Sequence, residues 1–196
     1  MHTMIKKADE ISDENLKEIC NLLLSDEIIG FPTETVYGLA ANYRSENALR
    51  KLYDIKKRPK SKSFILHISN IEQAKDVALD VPDSYYRLAD HFFPGPLTIL
   101  LKKNSTVSDW ISPNEYVGIR MPSSSITLRL IDALKMPFVG TSANISGEKN
   151  PVSAQEVFEN FQGKIPFIID GGTSLIQTPS TVVLIENGNV KILREG

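Results

Sequence analysis

Five cations fall within seven residues at Lys56-Lys57-Arg58-Pro59-Lys60-Ser61-Lys62, with no acid among them. Lysine supplies a compact charge, and arginine a planar fork that grips phosphate or carboxylate through two hydrogen bonds. The run reads equally as a triphosphate clamp, a solvated basic face or an RNA-contacting patch. Arg120 stands in Val117-Gly118-Ile119-Arg120-Met121-Pro122, between apolar neighbours. An arginine buried there needs an anionic partner, either an internal Asp or Glu or a substrate carboxylate. Thr141-Ser142-Ala143-Asn144-Ile145-Ser146-Gly147 sets four hydrogen-bonding side chains and a glycine after an apolar run. Such a loop approaches a nucleotide with hydroxyl and backbone donors. Thr33-Glu34-Thr35 occupies a similar place after an earlier apolar run, where ordinary turn chemistry is the plainer reading. His67, inside an apolar stretch, reads as a packing histidine when taken alone.

Other chemistries lack their residues. The 141–147 loop has neither the GxxxxGK[ST] spacing of a P-loop nor the GxGxxG of a dinucleotide fold. It also lacks the GxSxG of a serine hydrolase. The remaining histidines, His2 and His91, share no metal-ligand spacing with His67 or with the single cysteine, Cys20. One thiol builds no internal disulfide, which fits a reducing compartment, and Cys20 lies in an apolar run as a packing residue. A net charge of −2 argues against a globally basic nucleic-acid binder while leaving room for a local patch. No apolar run approaches the ~20 residues of a membrane span, and the N-terminus lacks the apolar core of a signal peptide. The expectation is a cytoplasmic protein without a membrane partner.

These residues need elements to hold them. Apolar spacing predicts helices over 12–25, 45–58, 82–92, 125–134 and 153–161, and a short one over 70–77. Ser12 or Asp13, Ser45 and Asn70 stand at cap positions. Strands are predicted at 28–31, 64–68, 97–102, 116–121, 138–141 and 167–170. Asn187-Gly188 signals a hairpin between 181–185 and 190–193. Helical and strand patterns alternate, with some direct strand-to-strand steps and no Gly/Ser-rich linker. The fold class is α/β: one domain over 1–196, a twisted mixed β-sheet flanked by helices. The polar clusters fall at strand ends, where α/β sheets place ligands.

Six segments in order, FPTETVYGLA (31–40), KKRPKSK (56–62), FPGPLTILL (93–101), VGIRMP (117–122), TSANISG (141–147) and PSTVV (179–183), resemble the YrdC/TsaC family of threonylcarbamoyl-AMP synthases. The resemblance runs from about residue 12 to the end, and its length is similar to that of the short, single-domain type. It departs at Leu184, where the family often shows an aspartate. The family fold is a twisted α/β sheet with a large concave positive cavity. Its members join L-threonine, bicarbonate and ATP, giving threonylcarbamoyl-adenylate and pyrophosphate. Separate transferase machinery then modifies adenosine 37 of tRNAs reading codons that begin with A.

The resemblance implies site residues one by one. The family's K-x-R and S-x-N pairs fall on Lys56 and Arg58, and on Ser142 and Asn144, as the catalytic set. Those four, with Lys62, Ala143, Pro151 and Arg194, correspond to ATP contacts. Thr35, His67, Arg120, Thr141 and Ser180 correspond to threonine contacts. Mg²⁺ is implied as an ion held mainly by the ATP phosphates rather than by side chains. A tRNA or RNA contact is a further candidate partner, and the resemblance leaves open whether tRNA touches the chain directly. Two rival functions are a non-enzymatic double-stranded RNA or tRNA-binding module and a carbamoyl-adenylate enzyme of hydrogenase maturation. The first leaves Arg120 and His67 unexplained; the second embeds this module in longer, cysteine-rich chains.

Overall fold

The computed structural model describes residues 1–196. Three of its five α-helices begin at side-chain caps. Helix α1 (Asp13–Leu24) opens with a capping box: the Ser12 hydroxyl accepts from the Asn15 N–H, and the Asn15 side chain accepts from the Ser12 N–H. Ser45 caps α2 (Glu46–Lys56) through the Ala48 N–H. That helix stops at Lys57, in the left-handed conformation at φ 50°, two residues before Pro59. Helices α3 (Asp83–Phe92), α4 (Ser125–Leu134) and α5 (Ala154–Phe161) follow, the last capped by Ser153. The 70–77 segment is a 3-10 helix, Ile71–Asp76, capped by Asn70 rather than a turn of α-helix. None of these helices is long and apolar enough to cross a membrane.

The strands are β1 (Met4–Lys7), β2 (Ile29–Phe31), β3 (Gly38–Asn42), β4 (Ile65–His67), β5 (Leu97–Lys102), β6 (Tyr116–Arg120), β7 (Phe138–Ser142), β8 (Phe167–Asp170), β9 (Thr181–Glu186) and β10 (Asn189–Arg194). They form one 10-stranded mixed sheet in the order β1-β8-β2-β3-β7-β4-β6-β5-β9-β10. Pairs β1–β8, β2–β8, β4–β6 and β5–β9 are parallel, and the others are antiparallel. Two strands were not evident from the sequence. β1 is an edge strand with an exposed pattern, and the sequence there reads as a loose terminus. β3, Gly-Leu-Ala-Ala-Asn, is buried at all five positions, so it carries no polar/apolar alternation.

A core of 49 apolar residues, Cys20 included, lies among the helices and the sheet. Helices α1 and α4 pack together, α2 packs on β3, and α5 packs on β8 and β2. Side chains alternate across a strand, so every second residue reaches the same face. Ile65 and His67, Thr98 and Leu100, and Gly140 and Ser142 obey that rule in lining one cavity, and Thr141, near the end of β7, reaches it as well. The site is therefore built on one face of the sheet, across strands from distant parts of the chain.

Candidate active site

The cavity measures about 270 Å³. Of the residues expected at the site, Thr35, Arg58, His67, Arg120, Thr141, Ser142, Ser180 and Arg194 line it. Register explains part of the convergence. His67 is the Cα partner of Arg120 across the parallel β4–β6 pair, so both side chains leave the same face. Ser142 ends β7 opposite Gly38, beside the loop that follows β2. The Thr33 hydroxyl holds that loop rigid. It accepts from the N–H groups of Thr35 and Val36 at 3.2 Å each and donates to the Val36 carbonyl at 2.7 Å.

Arg120 is 5% exposed, and its anionic partner is internal. Its Nη2 donates to Glu34 Oε1 at 2.7 Å and to Thr35 Oγ1 at 2.8 Å, while its buried Nε has no partner. The second Glu34 oxygen accepts from the Ser123 N–H at 3.0 Å. Burial lowers the Arg120 pKa from its usual value, and Glu34 opposes the shift. The sequence marked Glu34 only as part of a polar turn. Its pairing joins positions 86 residues apart, which no local signal carries.

His67 is a packing residue and a cavity residue at once. Its ring stacks on Phe138 at 5.6 Å and meets Phe31 edge-on at 5.3 Å. Burial, with the Arg120 charge, holds its pKa well below the usual value, so the imidazole is neutral. Nδ1 is buried without a partner. A Cβ at position 140 would lie 2.2 Å from that nitrogen, so Gly140 is the space the ring occupies.

Arg58 lies against the Phe64 ring at 5.0 Å and donates to the carbonyls of Ser63 at 2.7 Å and Lys62 at 3.2 Å. No carboxylate pairs with it. Arg194 also binds a carbonyl, that of Ser180, at 2.6 Å through Nη2. A β-bulge decides its position: the register moves from Ile192↔Val183 to Arg194↔Val182, leaving Leu193 as the extra residue. Arg194, rather than Leu193, thus stands opposite Val182 at the cavity wall. Ser180 Oγ exchanges a 2.8 Å hydrogen bond with Thr98 Oγ1.

Other expected residues do not line the cavity. Lys56 is 1% exposed and turns its Nζ to the carbonyls of Ser142 and Asn144. Its own carbonyl accepts from the Ser146 N–H at 2.9 Å. It pins the 142–146 loop from beneath instead of reaching inward. Burial and the Arg58 charge push its pKa down to about 7. Asn144 is buried; its Oδ1 accepts from Ser142 Oγ at 2.6 Å, and its Nδ2 donates to the Glu148 carbonyl at 2.7 Å. Ala143 is buried, its N–H bound to the Tyr37 carbonyl at 2.8 Å, and the Pro151 carbonyl accepts from the Tyr37 N–H at 2.9 Å. The Lys62 side chain is exposed to solvent. Conversely, Thr98 and Asn150 line the cavity without having been expected there. Thr98 is alternation-legible; Asn150, in a polar loop, gives no signal.

Three arginines line this cavity and no aspartate or glutamate does. Nor does the chain gather three or more His, Cys, Asp or Glu residues around any point that could hold a metal ion. The side chains at the cavity therefore do not fit a protein-held Mg²⁺.

The sequence pattern of the Sua5/YciO/YrdC family, described as "Telomere recombination", matches residues 21–196. The chain belongs to this family. Among Sua5/YciO/YrdC relatives, a threonylcarbamoyl-AMP synthase of Pyrococcus abyssi (strain GE5 / Orsay) is 38% identical over 197 residues, covering 100% of this chain and 58% of that protein. A Bacillus subtilis (strain 168) protein of the same name is 37% identical over 192 residues, covering 96% of this chain and 56% of that protein. The chain thus spans somewhat over half the length of these curated relatives. A crystal structure of P. abyssi Sua5 complexed with L-threonine superposes with a TM-score of 0.93 at 38% identity, covering 98% of this chain and 57% of that one. The α/β fold described above is therefore the Sua5/YciO/YrdC fold.

Proposed function

We propose that this chain adenylates a threonine-derived carbamate: L-threonine, bicarbonate and ATP give threonylcarbamoyl-AMP and pyrophosphate. The observation that carries this reading is the cavity wall with three guanidinium groups and no carboxylate. A polyphosphate and a carboxylate-bearing amino acid are the ligands such a wall accommodates. The P. abyssi relative, whose structure holds L-threonine, supports the identity of the second ligand.

The chemistry balances without a covalent enzyme intermediate. The threonine amine condenses with bicarbonate to a carbamate, releasing water. A carbamate oxygen then attacks the α-phosphorus of ATP. The bond from that phosphorus to the bridging oxygen breaks, and pyrophosphate leaves with its electrons. Charge grows on the leaving group, and fixed cations stabilise it there. Arg58 and Arg194 take this role, with Lys62 adding charge from the rim. Ser142, Ala143, Asn144 and Pro151 form the loop against the nucleotide, and Lys56 fixes that loop. Arg120, His67, Thr35, Thr141 and Ser180 hold threonine. Neutral His67 and the hydroxyls suit a zwitterion bearing its own hydroxyl, and a site that pairs a hydroxyl rejects analogues lacking it. Orientation of the three substrates supplies most of the rate. The product serves separate machinery that modifies adenosine 37 of tRNA.

Arg58→Ala tests the assignment, because Arg58 bonds only carbonyls and a ring and its loss strands no buried charge. Pyrophosphate release is expected to fall at least about a hundredfold with an unchanged circular dichroism spectrum. Near-normal release by a folded variant would sink the assignment.

A further inference from the structure

The cavity's three arginines are not equivalent. Arg58 and Arg194 donate only to neutral oxygens, the carbonyls of Lys62, Ser63 and Ser180 and the Ser180 hydroxyl, so their charge is open to a ligand. Arg120 is bonded to the Glu34 carboxylate at 2.7 Å, and the two side chains are 6% and 7% exposed. Arg120 and Glu34 thus form a matched pair with no net charge, and Arg194, seated on the Ser180 carbonyl and close enough to feel the Arg120 charge, is the open cation next to that pair.

The pair is held from behind. Glu34 Oε2 accepts from the Ser123 N–H at 3.0 Å, and the Glu34 carbonyl accepts from the Ile176 N–H at 2.8 Å. Ser174 Oγ donates to the neighbouring Thr33 carbonyl at 2.9 Å. Glu34 itself does not line the cavity. Whatever it does to a ligand it does through Arg120.

Building on the adenylation of threonine, we propose that Glu34 is a positioning and specificity residue that keeps triphosphate and pyrophosphate out of the amino-acid end of the cavity. A free amino acid is a zwitterion with no net charge, and it fits the Arg120–Glu34 pair, whose own charges cancel. A polyphosphate carries several negative charges and is drawn to unneutralised cations, which here are Arg58 and Arg194. Without Glu34, Arg120 becomes a third open cation on a continuous wall, and one anion could occupy both ends. Glu34 also uses one Arg120 nitrogen, Nη2, and so fixes the plane in which the rest of the guanidinium meets the ligand. Like-charge and opposite-charge placement of this kind sets specificity more than raw affinity.

A competition measurement on the native chain tests the idea. Threonine binding is titrated by calorimetry with and without saturating inorganic pyrophosphate. The threonine Kd is expected to stay within about twofold, because the two ligands take different ends. A Kd that rises in proportion to pyrophosphate overturns the partition. In Glu34→Gln, the threonine Kd is expected to weaken on the order of tenfold, and pyrophosphate to become competitive with threonine. In Glu34→Gln/Arg120→Gln, which keeps a neutral pair of similar volume, threonine affinity falls but pyrophosphate competition does not appear. A Glu34→Gln chain with native threonine affinity and no competition contradicts the proposal. Should that variant fail to fold, the native competition decides alone. A native chain that binds no threonine removes the adenylation reading itself, whereas displaced threonine removes only the role of Glu34.

Discussion

Lys56 shows what a single side chain contributes. Its Nζ meets two backbone carbonyls and no carboxylate, and burial with the Arg58 charge pushes its pKa down to about 7. In the unfolded chain the amine keeps its proton up to the ordinary 10.5. Between those values the unfolded state holds the extra proton, so raising the pH favours the native state. Relative to Lys56→Met, the stability of the native chain should therefore climb from about pH 7 to about pH 10. Urea melts of both chains at several pH values check this, and a flat difference would contradict it. The cations at 56–62 were legible as a cluster because charge and spacing are written in the sequence. Which of them faces a ligand was not, because it depends on where the 142–146 loop comes to rest. Likewise the sequence showed that Arg120 needs an anion and left two sources open. The fold supplies Glu34.

At the scale of elements, β7 lies between β3 and β4 and brings Gly140 under His67. A methyl group there would meet His67 Nδ1 at 2.2 Å and Cε1 at 2.3 Å. Both atoms belong to a ring packed by Phe31 and Phe138, so the ring has nowhere to retreat within the core. Gly140→Ala should cost about 1–3 kcal/mol in denaturant melts, and the displaced imidazole should weaken threonine binding in calorimetry. Unchanged stability and affinity would show that the ring is free to move. Helix bounds were readable because caps and apolar spacing act locally. Ser12, Ser45 and Asn70 cap where their types predict. β3 was not readable: Gly38, Ala40 and Ala41 are poor strand formers, and full burial on both faces erases alternation. The bulge at Leu193 was equally hidden, although it decides that Arg194 meets the cavity.

The whole molecule is a surface on which distant segments are made neighbours. The mixed 10-stranded sheet sets β4, β6, β7 and β9 close enough for His67, Arg120, Ser142 and Ser180 to line one cavity. The α/β class followed from alternating patterns, but the strand order did not, since antiparallel and parallel pairings here are settled by long-range packing. The result is a cation-lined cavity with no acid on its wall, and its proposed use is adenylation. The direct test is to incubate the pure chain with ATP, L-threonine and ¹³C-bicarbonate and to analyse the nucleotide products by mass spectrometry. The account predicts a threonine-dependent adenylate carrying the ¹³C label, formed in step with pyrophosphate. Unlabelled AMP alone, or no turnover together with tight, salt-sensitive RNA binding, would contradict it.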